Sequence, residues 1–165
     1  MRQFAKLTTC AAALVLAGCA HLFGPPPQPG DSVEEVVDKM GEPKDVYAEP
    51  GAGRIFSYPQ GPYGQVTYMA KFGKDNRLQT YEQVLTSEKF ALIKVDRANK
   101  DDVLRMIGRP AETSRVAMHD YEVWSYRYKE NGVWNSMMHV HFDHDGVVRL
   151  MQNGPDPMYD RRYWR

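Results

Sequence analysis

Two short stretches of this chain repeat one another. "DSVEEVVDKMGEP" and "NKDDVLRMIGRP" each read as a capped amphipathic helix closed by Gly-x-Pro. Gly41 and Gly108 are 67 residues apart, as are Pro43 and Pro110, Val36 and Val103, and Val37 and Leu104. In the first copy, Ser32 and Glu35 stand at capping-box spacing, where each can answer an unpaired amide of the first turn. Val33, Val36, Val37 and Met40 then form one apolar stripe; in the second copy Asn99 caps, and Val103, Leu104 and Ile107 make the stripe. The glycine supplies a left-handed cap, and the proline cannot continue the helix.

The correspondence continues past the helices. Phe56 and Tyr58 of "RIFSYP" match Trp124 and Tyr126 of "EVWSYRY" at an offset of 68, and Phe72 and Asp75 match Phe142 and Asp145 at an offset of 70. Growth of the offset from 67 to 70 is what short loop insertions produce at little cost in free energy. Aromatic alternation around the turns "KDN" and "HDG" reads as antiparallel strands. Matches in the same order predict a duplicated α+β unit, each copy a short helix or helices packed on a three-stranded antiparallel meander. The copies span 31–85 and 86–152, followed by an aromatic and basic tail over 153–165. Thr86, with Phe90 and Ile93 on one face, predicts an additional short helix before the second copy; the matching place in the first holds Phe23 and then prolines, so that helix is expected to be missing there.

The N-terminus concerns address. Arg2 and Lys6 precede an apolar run from Leu7 to Ala17 that is too short to span a bilayer and reads as an export signal over 1–18. Leu16-Ala17-Gly18-Cys19 resembles the lipobox of bacterial lipoproteins, which implies lipidation at Cys19, and Ala20 is not the Asp associated with inner-membrane retention. Residues 19–30, with Pro25, Pro26, Pro27 and Pro29, read as an extended tether. Cys10 leaves with the signal and Cys19 carries lipid, so the fold is expected to stand without disulfides. Without Arg2 and Lys6 the balance is 19 basic against 21 acidic residues with no basic block, a pattern that excludes nucleic acid as the expected partner. Membrane attachment is then left to the acyl chains.

One segment carries residues of metal chemistry. His139-Val-His141-Phe-Asp143-His144 resembles the signature of the metallo-beta-lactamase superfamily. Only 21 residues follow His144, none of them His, and the first copy of the strand, "TYMAKFGKDN", has no histidine. Duplication accounts for Phe142 and Asp145, and zinc for neither. The expectation is no catalytic site and no cofactor, with His139, His141 and His119 the residues that would hold a metal if one bound. No G-x-S-x-G elbow, phosphate-binding glycine loop or H-E-x-x-H pair is present. The tail "DPMYDRRYWR" is rich in residue types favoured at binding hot spots.

The lipobox, the helix ending in G-x-P, the aromatic-x-Tyr strand and the strand closing in Phe-x-x-Asp resemble the SmpA/OmlA (BamE-like) family of outer-membrane lipoproteins. Residues 32–78 carry the resemblance once, and 90–150 carry it again. It implies a lipid-anchored, non-catalytic accessory on the periplasmic face of the outer membrane, binding envelope proteins such as the beta-barrel assembly machinery and no small-molecule substrate. The tandem form, with Lys89-Phe90 and Ile93 ahead of the second helix, is similar to beta-lactamase inhibitory protein, which implies the alternative of an inhibitor of a periplasmic or cell-wall hydrolase.

Overall fold

The computed structural model describes residues 24–51, 53–61, 63–117 and 119–160. The signal, Cys19 and the last five residues of the tail lie outside the described residues. In chain order the elements are α1 (Val33–Met40), β1 (Asp45–Glu49), β2 (Gly53–Pro59), β3 (Thr67–Phe72), β4 (Leu78–Gln83), α2 (Ser87–Ala91), α3 (Lys100–Ile107), β5 (Glu112–Val116), β6 (Tyr121–Glu130), β7 (Trp134–Phe142) and β8 (Val148–Pro155). The strands form two antiparallel four-stranded meanders, β1-β2-β3-β4 and β5-β6-β7-β8.

The helices begin and end where their capping chemistry dictates. Ser32 and Glu35 close a capping box on α1, Asn99 and Asp102 close one on α3, and the Thr86 hydroxyl accepts from the Lys89 amide at the start of α2. Gly41 and Gly108 terminate α1 and α3 with φ of 79° and 81°, a region that costs an L side chain strain. Residues 24–32 carry no helix, as the proline run requires.

The expected three-stranded meander is corrected to four strands. The added strands, β1 and β5, start two residues after Pro43 and Pro110 and pair with β2 and β6 along their full length. Both are sheet edges whose outward side chains meet solvent, and β5 is exposed at every position, so neither carries an apolar alternation that a sequence could announce.

Several backbone bonds and ring contacts recur in the two units. Lys44 and Ala111 each donate to the carbonyl of the matching serine, Ser57 and Ser125, at 2.9 Å. Leu78 donates to the Asp31 carbonyl at 2.8 Å and Val148 to the Ala98 carbonyl at 2.9 Å. Ring pairs Phe56–Phe72 and Trp124–Phe142 lie 4.9 and 4.7 Å apart, both tilted by 60°. Even the register irregularity recurs, at Lys71/Phe72 and at His141/Phe142.

Alternation along β2 and β3 assigns the layers. Phe56, Tyr58, Ala70 and Phe72 share a core with Val36 of α1. Ile55 and Met69, pointing the opposite way, share the larger core with Phe90 of α2 and Val103 and Ile107 of α3. That core continues into Trp124, Tyr126, Tyr128, Val140 and Phe142 of the second sheet. The order is therefore helix, sheet, helix pair, sheet, with Phe90 of α2 and Val103 and Ile107 of α3 packed between the two sheets.

Candidate functional site

The histidine-bearing segment is the end of β7 and the turn after it. His139 and His141 face the side of the second sheet that α2 and α3 do not cover. His139 Nδ1 lies 2.8 Å from the Ser125 hydroxyl, and the His141 side chain is buried. Burial holds both imidazoles below the usual histidine range, favouring their neutral forms. His119 is exposed and stacks on Tyr121 with ring centroids 5.4 Å apart, and the rings of Tyr121 and His141 make a T-shaped contact with centroids 6.5 Å apart. These contacts string the histidines out in a row, and among the described residues their nitrogens do not converge with other ligand atoms on one point. Among the described residues, the ligand atoms that do fall within 4.8 Å of one another belong to Asp143, His144 and Asp145. There Asp143 is already committed: one carboxylate oxygen accepts from the Asp145 and Val147 amides at 3.0 and 2.9 Å, and the other from Arg149 at 2.6 Å. The backbone bonds of this turn, Asp143 to Val147 and Gly146 to Asp143, both at 3.0 Å, recur in the first copy without a histidine, Gly73 to Arg77 at 2.9 Å and Asn76 to Gly73 at 3.1 Å. The turn's conformation is thus a property of the repeat.

A second feature lies where three loops meet. The Asn135 side chain accepts from Gln65 Nε2 at 2.9 Å, tying the β6–β7 hairpin to the β2–β3 loop of the other unit. The Asn135 carbonyl accepts from the Asp156 amide at 3.0 Å, tying in the turn after β8. These loops hold four large apolar side chains in solvent: Trp134 is 68% exposed, Tyr63 67%, Val133 65% and Tyr159 50%. Exposed aromatics grouped at one end of a molecule mark interaction surfaces more often than scattered single ones do.

The turn beneath this end is fixed by a buried ion pair. Arg127 joins Asp156 and Glu112, and the Arg127 and Asp156 side chains are 7% and 0% exposed. β8 runs on to Pro155, so the first three residues of the segment read as a tail belong to the sheet. Tyr159 lies in the part of that tail singled out for its composition. Tyr63, Val133 and Trp134 escaped the sequence reading, although the turn signals Gly61, Gly64 and Asn131-Gly132 beside them mark loop tips where an aromatic has no core to enter.

Compared with known proteins, the chain matches no family model, SmpA/OmlA included, and no curated protein. Among solved structures it is similar to a DUF4309 family protein (YjgB) from Bacillus subtilis, at 15% identity over 76% of this chain and 79% of that one, with a TM-score of 0.33.

Proposed function

We propose that this chain is a lipoprotein anchored through Cys19 to the periplasmic face of the outer membrane, where it acts without catalysis as a protein-binding accessory in outer-membrane protein assembly or envelope maintenance. The observation that carries the reading is the convergence of three loops at Asn135, which exposes Tyr63, Val133, Trp134 and Tyr159 together. The position of the tether favours a protein over the anchoring bilayer as what these side chains meet. Gly30 and Asp31 join the first sheet at Leu78, at one end of β3, while the β2–β3 loop that carries Tyr63 leaves the opposite end, about 20 Å away for a strand of this length. A photo-crosslinking residue in place of Trp134, activated in native envelopes, is expected to form an adduct with a subunit of the barrel-assembly machinery. Recovery of the monomer alone sinks the assembly role. Substitution Cys19→Ser is expected to release the protein from the membrane fraction, and full retention refutes the anchor.

The hairpin that presents Val133 and Trp134 also favours a second reading, inhibition of a periplasmic or cell-wall hydrolase, because a projecting apolar tip fits a concave site. Stoichiometric slowing of one enzyme, lost with Trp134→Ala, distinguishes this reading from the first.

A further inference from the structure

An open groove of about 540 Å³ runs between the first sheet and the helices α2 and α3. Its floor is apolar and nearly closed to solvent: Ile55, Met69 and Val84 from one side, Ala98 from the other. At its rim Leu92 is 54% exposed, an apolar side chain held in water beside an apolar trough.

The charges around this trough are unevenly matched. Five cationic and three acidic side chains border it. Lys71 is paired with Glu49, Lys89 with Glu82 and Arg105 with Asp102, at 2.7, 2.7 and 2.6 Å. Among the described residues, Lys94 and Arg97 have no carboxylate within ion-pair distance. The acid between them in sequence is Asp96, and the backbone turns it away. Asp96 has φ of 64°, its amide is bound to the Val148 carbonyl at 2.8 Å, and its carboxylate is taken by Arg149 at 2.8 Å. The segment Lys94-Val95-Asp96-Arg97 thus sends its acid to the edge of the second sheet and leaves two cations at the mouth of the groove.

We propose that this groove binds a small organic anion with an apolar body, its carboxylate or phosphate head between Lys94 and Arg97 and its hydrocarbon along Ile55, Met69 and Val84. The volume lies within the range of small-molecule sites, and an apolar trough with a few placed charges is their usual chemistry. An anion bridging two otherwise unmatched cations gains charge-assisted hydrogen bonds there, whereas a neutral or cationic amphiphile leaves them unanswered. The site is separate from the loops at Asn135 and stands independently of the protein-binding role.

The test uses the full chain held in phosphatidylcholine vesicles, labelled with a diazirine-bearing fatty acid and mapped by peptide mass spectrometry. Label is expected on the peptides carrying Met69, Leu92 and Met106, displaced by dodecanoate or dodecyl phosphate and not by dodecyltrimethylammonium. The stronger of the two anionic competitors assigns the head group. In the double variant Lys94→Ala/Arg97→Ala, labelling of these peptides is expected to fall about tenfold or more, equivalent to about 1.4 kcal/mol, with an unchanged melting temperature. Lys129→Ala, on the β6–β7 hairpin side, serves as the charge control and is expected to change nothing. Absence of label from the groove, equal labelling of the double variant, or equal displacement by the ammonium amphiphile overturns the proposal.

Discussion

Tyr58 and Tyr126 occupy equivalent places in the two units, yet their hydroxyls meet different fates, and this sets up a controlled comparison. Tyr126 is 1% exposed and donates to the Gly108 carbonyl at 3.0 Å, closing the helix cap onto the second sheet. The Tyr58 hydroxyl is buried without a hydrogen-bond partner among the described residues. Deleting the first oxygen in Tyr126→Phe removes a buried bond and leaves a carbonyl unanswered, for an expected loss of about 1–3 kcal/mol. Deleting the second in Tyr58→Phe removes a desolvated group that gained nothing on folding, so the expected change lies between zero and a gain of about 1 kcal/mol. Urea unfolding reads both, provided the slope with denaturant is unchanged. For a chain of this size each kcal/mol corresponds to roughly 2–4 °C in melting temperature. Equal destabilisation by the two substitutions would refute the reasoning, since it would mean that the ring packing and not the hydroxyl bond distinguishes the sites.

Other outcomes follow from neighbouring geometry. A Cβ at Gly53 would lie 2.1 Å from the Phe72 carbonyl oxygen, so Gly53→Ala is expected to cost at least about 2 kcal/mol or to block folding, as soluble yield and thermal melting will show. Arg127→Ala strands the buried Asp156 carboxylate and is expected to cost about 3–5 kcal/mol, while Arg127→Met with Asp156→Leu recovers much of it; a double variant as weak as the single one counts against the ion pair. Burial pushes the phenols of Tyr47 and Tyr58 up to about 12, against an ordinary value of about 10. The unfolded chain therefore releases these protons first: stability is undiminished by these groups below about pH 10 and falls as pH rises toward about 12, so a urea midpoint that stays flat across this window contradicts the assignment. Trp134→Ala is expected to change stability by less than about 0.5 kcal/mol, because the side chain is 68% exposed, while removing any partner contact made at the Asn135 end.

Much of the fold was legible because the repeat carried its own local chemistry. Ser32 with Glu35, Thr86 and Asn99 each announced a helix start that the backbone uses, and Phe56, Phe72, Trp124 and Phe142 announced the strand faces that meet in the two cores. β1 and β5 were silent for a physical reason: an edge strand with exposed side chains is specified by the strand it pairs with, and "ETSRV" holds no pattern of its own. The Arg127–Asp156 pair was hidden for a related one, since a buried charge is defined by a partner 29 residues away. The loop aromatics were visible as residues but not as a group, because a bond between the units, Gln65 to Asn135, joins loops that are far apart in sequence. The groove was out of reach altogether, as its walls come from different copies of the unit.

The layer order carries a consequence for how many copies such a chain can stack. On the first sheet, Ile55 and Met69 receive the helices of the next unit; at the matching places the second sheet offers Val123 and His139, with Ser125 hydrogen-bonded to that imidazole and Arg127 sealed by the chain's own Asp156. The helices of a further unit arriving there would have to displace that polar lining, so the second sheet presents a face that disfavours stacking, as a polar end-cap does in a solenoid. At the opposite end no counterpart of α2 precedes α1 in the described residues, where prolines stand instead. At the second sheet, by contrast, it is the polar face itself that opposes further stacking.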